Sequence, residues 1–538
     1  MKKHSFVFGA FILAISGVLC KILGAVYKIP LTNILGSEGM GVYYLIFPMY
    51  AFLLSFISSS FVVALSKNVS KLCAQNRSKT AYNLFKSSII LLAFLGVVFA
   101  LFLIFLSKII ASLQGVESAY LCYIFIAPSL IAVSISSAFK GYFQGLQNMV
   151  PTALSQVVAQ LLKLAGGFFL ANIFVKKGII FGALGALLGI SISEVITLLF
   201  FVVYFLIFKI KNRAYYQNIK SIDEKANHFS NIKFILKEAI PLTLSSIILP
   251  MSMVIDSFLI INILKSMSFD KSFATSLLGL NSGVVNTLIG LPTTICSGIC
   301  MTVIPYITHA LSNKNYKDVS SKTMLAIKLS LFIAVPCVAV FGLFSVEILK
   351  VLYAHSFKSL YELNFASTLL VLSAVNILYL TFLQLTTAIL QAINRSYIPV
   401  ISLAVALIFK VICEVALISI PYLNICGAVV SNVVCYLIST TINIVFIKKQ
   451  IKLNFSFYKT IVCPVLCSAI TCAGIFGLKV LLSTFISANW AFLVAIVLGI
   501  IGYIILIFVF KGFSDDERRS LFSFGKFKAK AKPQTSGT

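Results

Sequence analysis

Ile89-Ile90-Leu91-Leu92-Ala93-Phe94-Leu95-Gly96-Val97-Val98-Phe99-Ala100-Leu101-Phe102-Leu103-Ile104-Phe105-Leu106 runs without one polar side chain. With its flanks, such a run crosses the roughly 30 Å hydrocarbon core of a bilayer as one helix. Working outward from it, the same reading marks about fourteen stretches. They are 5–29, 41–66, 84–107, 118–139, 151–175, 180–208, 234–263, 276–307, 324–346, 364–389, 397–420, 426–447, 460–482 and 488–510. Composition agrees. Of the 538 residues 60% are hydrophobic and only 11% charged, and mean hydropathy is +1.04. A soluble surface needs about one-quarter charged residues, so soluble, fibrous and disordered classes are excluded. The expected fold class is an all-α polytopic membrane protein.

The chain is also basic, with 43 Lys+Arg against 15 Asp+Glu, a net charge of +28. Placing the N-terminus in the cytoplasm puts 31 basic residues on cytoplasmic segments, 7 on outer loops and 5 within spans. That asymmetry is the positive-inside pattern and predicts both termini in the cytoplasm of a bacterial cell membrane. The basic residues are scattered over separate loops, so nucleic acid is not an expected partner. Anionic membrane lipid is. Met1-Lys2-Lys3-His4 and its apolar run imitate a signal peptide, but the run is too long and is expected to stay as the first helix. The 12 cysteines show no CxxC pair or zinc spacing and are expected to be packing residues, with no metal site.

Ionisable groups within spans are costly and mark cavities or partners. Eight stand out: Lys21, Lys28, Lys163, Glu194, Asp256, Lys410, Glu414 and Lys479. Lys21 and Lys28 are seven apart and share a helix face, which suits a cavity wall receiving an anionic headgroup. For Lys28 the alternative is snorkelling to the headgroups. Lys410 and Glu414 are spaced to pair on one helix, and Lys163 and Glu194 can pair across consecutive helices. Asp256 is alone in its span after Pro250. It can serve as a cation or proton site, or bond backbone freed by the proline. Lys479 is expected to snorkel. His4, His228, His309 and His355 lie in loops or at span ends and offer no proton relay. Glu347, His355 and Glu362 read as a solvated loop. No catalytic constellation stands out, so the chain reads as a transporter rather than an enzyme, without a cofactor. Coupling to H+, Na+ or the membrane potential stays open.

An internal repeat organises the chain. Phe143-Gln144-Gly145-Leu146-Gln147-Asn148-Met149-Val150-Pro151 and Leu390-Gln391-Ala392-Ile393-Asn394-Arg395-Ser396-Tyr397-Ile398-Pro399 align with one insertion, each before a span. Lys163 and Lys410 follow their prolines by 12 and 11 residues. The repeat predicts two six-helix lobes in parallel orientation, 1–208 and 234–447. A cytoplasmic linker 209–233 would join them. Two added helices within 448–510 and a basic cytoplasmic tail 511–538 would follow.

The segments Cys20-Lys21-Ile22-Leu23-Gly24, Lys28-Ile29-Pro30-Leu31 and Leu35-Gly36-Ser37-Glu38-Gly39-Met40-Gly41-Val42-Tyr43 resemble the opening of the stage V sporulation protein B-like group. So do Val63-Ala64-Leu65-Ser66-Lys67, Leu291-Pro292-Thr293, Val303-Ile304-Pro305 and the stretch from Lys140 to Ala153. That stretch holds the motif Gly141-Tyr142-Phe143-Gln144-Gly145. The group is part of the multidrug/oligosaccharidyl-lipid/polysaccharide exporter superfamily, with the MurJ-type lipid II flippases. The resemblance implies a MATE-like, two-lobed carrier working by alternating access. It implies transport of an undecaprenyl-pyrophosphate-linked cell-wall precursor, lipid II above all, by a monomer that can meet cell-wall synthesis enzymes. MurJ-type flippases place cations on the first, second and eighth helices. Here only Lys21 and Lys28 match, with Lys163 and Lys410 expected in support. Another polysaccharide unit, a cation-coupled drug antiporter, and a non-transporting scaffold for cell-wall or spore-cortex enzymes are the alternatives.

Overall fold

The computed structural model describes residues 6–212, 228–313, 315–354, 356–357, 359–451, 456–510 and 512–513. His4, His355, most of the linker and nearly all of the tail lie outside them, as does the side chain of His309. Every long element among the described residues is a helix. In chain order these are α1 Phe6–Ile57, α2 Ser59–Ala74, α3 Ser78–Leu113, α4 Tyr120–Gly145, α5 Val150–Phe174 and α6 Ile179–Lys211. They continue with α7 His228–Ser266, α8 Lys271–Leu278, α9 Asn286–Ser312, α10 Tyr316–Leu343 and α11 Ser345–Leu352. The last are α12 Leu360–Ala392, α13 Tyr397–Ile418, α14 Cys426–Gln450, α15 Cys463–Leu482 and α16 Ala488–Val509. A π-helical stretch, Gly279–Val285, joins α8 to α9.

Among the described residues thirteen candidate spans are long and apolar enough to cross a membrane. The first contributes two passes, because α1 folds back at Gly36, whose backbone is left-handed at φ 66°. Glycine alone enters that region without steric cost. Lys28 Nζ lies 5.2 Å from the centre of the Tyr44 ring. A straight helix would hold the two residues about 24 Å apart along its axis. With α2 completing the second pass, the chain crosses fourteen times. One end of the bundle carries Gly36 and the other carries Lys67.

The passes fall into two matched sets of six. The contacts α2–α4, α3–α4, α4–α6 and α5–α6 recur as α9–α12, α10–α12, α12–α14 and α13–α14. The turn before α5 and the turn before α13 close in the same way. Asn148 N–H donates to Phe143 O at 2.9 Å and Arg395 N–H to Leu390 O at 2.8 Å. Gln147 and Asn394 both take φ 60° in between. This six-to-one bond with a left-handed residue terminates a helix cleanly. The repeat read from the sequence is therefore a repeat of backbone geometry. Outside the two sets, α15 packs on α10 and α16.

Large apolar side chains cover the outer face, including Phe105 (77% exposed), Ile210 and Trp490. Such a belt is stable only against hydrocarbon. Inside, rings fill the gap between α3, α4 and α6. Phe85 stacks on Tyr142 at 4.3 Å, and Phe139 lies parallel to Phe201. The motif Gly141-Tyr142-Phe143-Gln144-Gly145 belongs to this packing. A Cβ on Gly145 would sit 2.6 Å from Val69 Cβ, and one on Gly141 3.0 Å from Leu65 Cβ. The glycines let α4 lie directly on α2. The motif is thus a helix contact at the Lys67 end, and neither charged cavity is lined by it.

The two sets meet most closely at the Gly36 end. A Cβ on Gly41 would collide with the Thr275 carbonyl oxygen, and one on Gly279 with that of Ser37. Asn33 adds hydrogen bonds to Leu352 O (2.9 Å) and Ser356 Oγ (2.8 Å). Nearby, fully buried Gln114 donates to Leu45 O and Ser257 Oγ, both at 3.0 Å, and accepts from Tyr123. That junction pins α1, α4 and α7 together.

Candidate functional site: a charged cavity between the two helix sets

Lys21 and Lys28 project from one face of α1, as their spacing requires. Both line a cavity of about 360 Å3, together with Lys163 and Gln160 of α5 and Asn286 of α9. Lys28 also lines a second cavity of about 290 Å3, with Asp256 of α7, Lys410 of α13 and Tyr436 of α14. The two share Lys28, Phe47, Asn286 and Gly290. Four of the five lysines singled out within spans, Lys21, Lys28, Lys163 and Lys410, therefore face one connected region where the helix sets meet.

Each lysine is held differently. Lys21 donates to Ser297 Oγ at 3.0 Å, joining α1 to α9 across the interface. Lys28 lies over the Tyr44 ring instead of reaching for headgroups. A ring face holds an ammonium without neutralising it. Lys163 pairs with Glu194 at 3.2 Å, as consecutive helices allow.

Lys410 departs from expectation. Its partner is Asp256, with Nζ 2.6 Å from Oδ1 and 2.8 Å from Oδ2, and Ser252 Oγ adds a third contact at 2.8 Å. The pairing with Glu414 fails because α7 presents three oxygens to the ammonium, more than one carboxylate a turn away on its own helix can offer. Asp256 is consequently not alone. Glu414 is fully buried and lies against Asp256, and neither of its carboxyl oxygens finds a donor among the described residues. Lys479 also departs from expectation. It pairs with Glu347 of α11 at 2.5 Å rather than snorkelling, which ties α15 to α11 and takes Glu347 out of the solvated-loop reading.

Sequence reasoning missed the polar groups that complete the site: Ser252, Ser297, Asn286, Tyr44 and Tyr436. It also missed a cross-set contact at the Lys67 end, where Lys67 of α2 meets Glu238 of α7 at 2.9 Å. That hydrogen bond holds the Glu238 carboxyl below its ordinary range. The cysteines are free thiols, mostly buried, and no metal-binding cluster occurs among the described residues.

Fourteen passes, two matched helix sets and a charged cavity where they meet define a two-lobed multi-pass membrane transporter. The chain belongs to the polysaccharide biosynthesis protein family, whose model matches residues 6–311. It is 25% identical to stage V sporulation protein B of Bacillus subtilis (strain 168), covering 98% of this chain and 99% of that one. It is 25% identical to the lipid II flippase MurJ of the same organism, covering 82% of each. Among solved structures, lipid II flippase MurJ in an inward closed conformation matches 96% of this chain and 99% of its own, with a TM-score of 0.64 at 17% identity. An inward-facing MATE-family multidrug resistance transporter of the MOP superfamily matches 82% and 98%, with a TM-score of 0.61 at 17% identity. The fold is that of this superfamily, whose named members here are flippases and transporters rather than enzymes.

Proposed function

We propose that the chain is a flippase for an undecaprenyl-pyrophosphate-linked cell-envelope precursor, with lipid II as the first substrate to test. The observation that carries the reading is the convergence of Lys21, Lys28, Lys163 and Lys410 on adjoining cavities that share Lys28. A diphosphate cannot enter hydrocarbon without its water and counter-ions. Ammonium groups in a protein-lined cavity replace both. Lys21 and Lys28 carry their charge into the cavity with only a hydroxyl and a ring as partners, so they are the groups available to an incoming anion. The polyprenyl tail needs no carrier and stays in lipid.

The basic residues gathered at the Lys67 end support a cytoplasmic position for that end in a bacterial cell. Segments 1–208 and 234–447 then act as the two rocking lobes. The close contact at the Gly36 end supplies the closed side that alternating access requires. The similarity to the flippase MurJ supports the substrate class.

The test is outer-leaflet exposure of lipid II in a strain that depends on this chain. Lys21→Ala with Lys28→Ala should lower exposure at least ten-fold while the protein stays in the membrane. Wild-type exposure by the double variant would remove the cavity assignment. Accumulation of a different lipid-linked sugar on depletion would keep the mechanism and change the substrate.

A further inference from the structure

We propose that Lys410 is a tethered counter-ion. Its ammonium stands among the oxygens of Asp256 and Ser252 where a small cation would otherwise bind, so the chain holds no metal ion at Asp256.

The geometry has three parts. First, Nζ contacts Asp256 Oδ1, Asp256 Oδ2 and Ser252 Oγ at 2.6, 2.8 and 2.8 Å. Oxygens converging at such distances are what a hard cation asks for. Here a covalently attached ammonium already stands at their focus, and it is 2% exposed. Second, Glu414 brings another carboxyl against Asp256. Its oxygens are buried and find no donor among the described residues. Two adjacent acids in a low-dielectric interior cannot both carry an uncompensated charge, and the Lys410 ammonium answers the one at Asp256. Third, Lys28 of α1 lines the same cavity as Asp256 and Lys410. Around that cavity two ammoniums therefore face the Asp256 carboxylate, with Tyr436 and Cys435 of α14 completing the wall and Glu414 buried behind it. A metal ion would have to displace Lys410 and would then meet the displaced charge.

One corollary follows. Removing the ammonium while keeping both acids turns the cluster into a cation site. The prediction concerns binding, so it stands or falls separately from the flippase reading. The experiment is thermal melting of the purified full-length protein in detergent, with sodium chloride exchanged for choline chloride at constant ionic strength. Wild type should melt at the same temperature in both salts. Lys410→Gln should show a saturable rise specific to sodium, abolished by adding Asp256→Asn. Lys410→Ala is the second variant, since it leaves more room. Sodium or methylammonium, but not choline, should raise its melting temperature. A sodium-specific rise in wild type that Asp256→Asn removes would overturn the proposal. So would indifference of both Lys410 variants to sodium and methylammonium.

Discussion

Lys163 and Lys410 lie 247 positions apart, on equivalent helices that follow the same turn, and each is neutralised by a carboxylate from another helix. Their partners are not equivalent. Glu194 comes from α6, the next helix of the same set, whereas Asp256 comes from α7, the first helix of the second. The repeat therefore fixes where each lysine stands and leaves its pairing to local chemistry.

That difference predicts unequal costs. Asp256→Asn leaves the Lys410 ammonium, 2% exposed, with a neutral amide and one serine. Losing one partner of a buried pair costs about 3 kcal/mol or more. Lys163 and Glu194 keep 24% and 12% of their side-chain surface, so Glu194→Gln should cost well under half as much. Thermal melting of the two variants in one detergent compares them, and equal losses would contradict the ranking.

At the Lys67 end the contact between Lys67 and Glu238 should respond to acid. The Lys67 hydrogen bond depresses the Glu238 carboxyl below its ordinary value of 4.5, helped by the charge of Lys71. A depressed acid contributes its stabilisation above the ordinary value and loses it as pH falls through the lowered one. Crosslinking between Ser60→Cys and Ser246→Cys, whose hydroxyls lie 3.4 Å apart nearby, reports the contact. Yield should hold from neutral pH down to about 4.5 and drop below it. In Lys67→Met the pair is absent, so yield should already be lower at neutral pH and should lose this acid dependence.

The Gly36 end is closed by main chain. Gly279→Val should hold it apart, because the added side chain would meet the Ser37 carbonyl and the amide of Gly41. Reactivity of a cysteine at Asn33 toward a membrane-impermeant maleimide should rise several-fold. Transport should fall while the cavity lysines stay intact. Unchanged reactivity would mean the contact re-forms around the valine.

Gly145→Leu tests the motif. Its side chain would overlap Val69 and the Ser66 carbonyl, and overpacking of this kind typically costs about 1–3 kcal/mol. The expected result is a lower melting temperature and less protein in the membrane, with per-molecule transport by the folded fraction close to wild type. A fully folded, inactive variant would place the motif in transport instead.

The passes, the repeated turn and the shared face of Lys21 and Lys28 were legible because each rests on composition or on spacing along the chain. Lys21 and Lys28 share a face by arithmetic, and Lys163 reaches Glu194 across adjacent helices. The partner of Lys410 was not legible, since Asp256 lies 154 positions earlier and Glu414 offered a local solution. Ser252 and Ser297 were hidden among many serines. Gly41 and Gly279 matter only through what approaches them, which no local pattern states. The Gly-Tyr-Phe-Gln-Gly motif carried a resemblance but no role, because a recurring sequence does not say whether it binds or packs.

The closure at the Gly36 end has one further consequence. Backbone meets backbone there at Gly41 and Gly279, so the closed side of the molecule is written in the absence of side chains. On the proposed flippase reading, cargo preference rests instead on a few charged side chains, mostly nearer the middle of the bundle. Substitutions that redraw the cavity leave the door untouched, and the two properties are free to drift separately. On that reading a single mechanical chassis can be refitted for differently charged loads by changing a handful of residues.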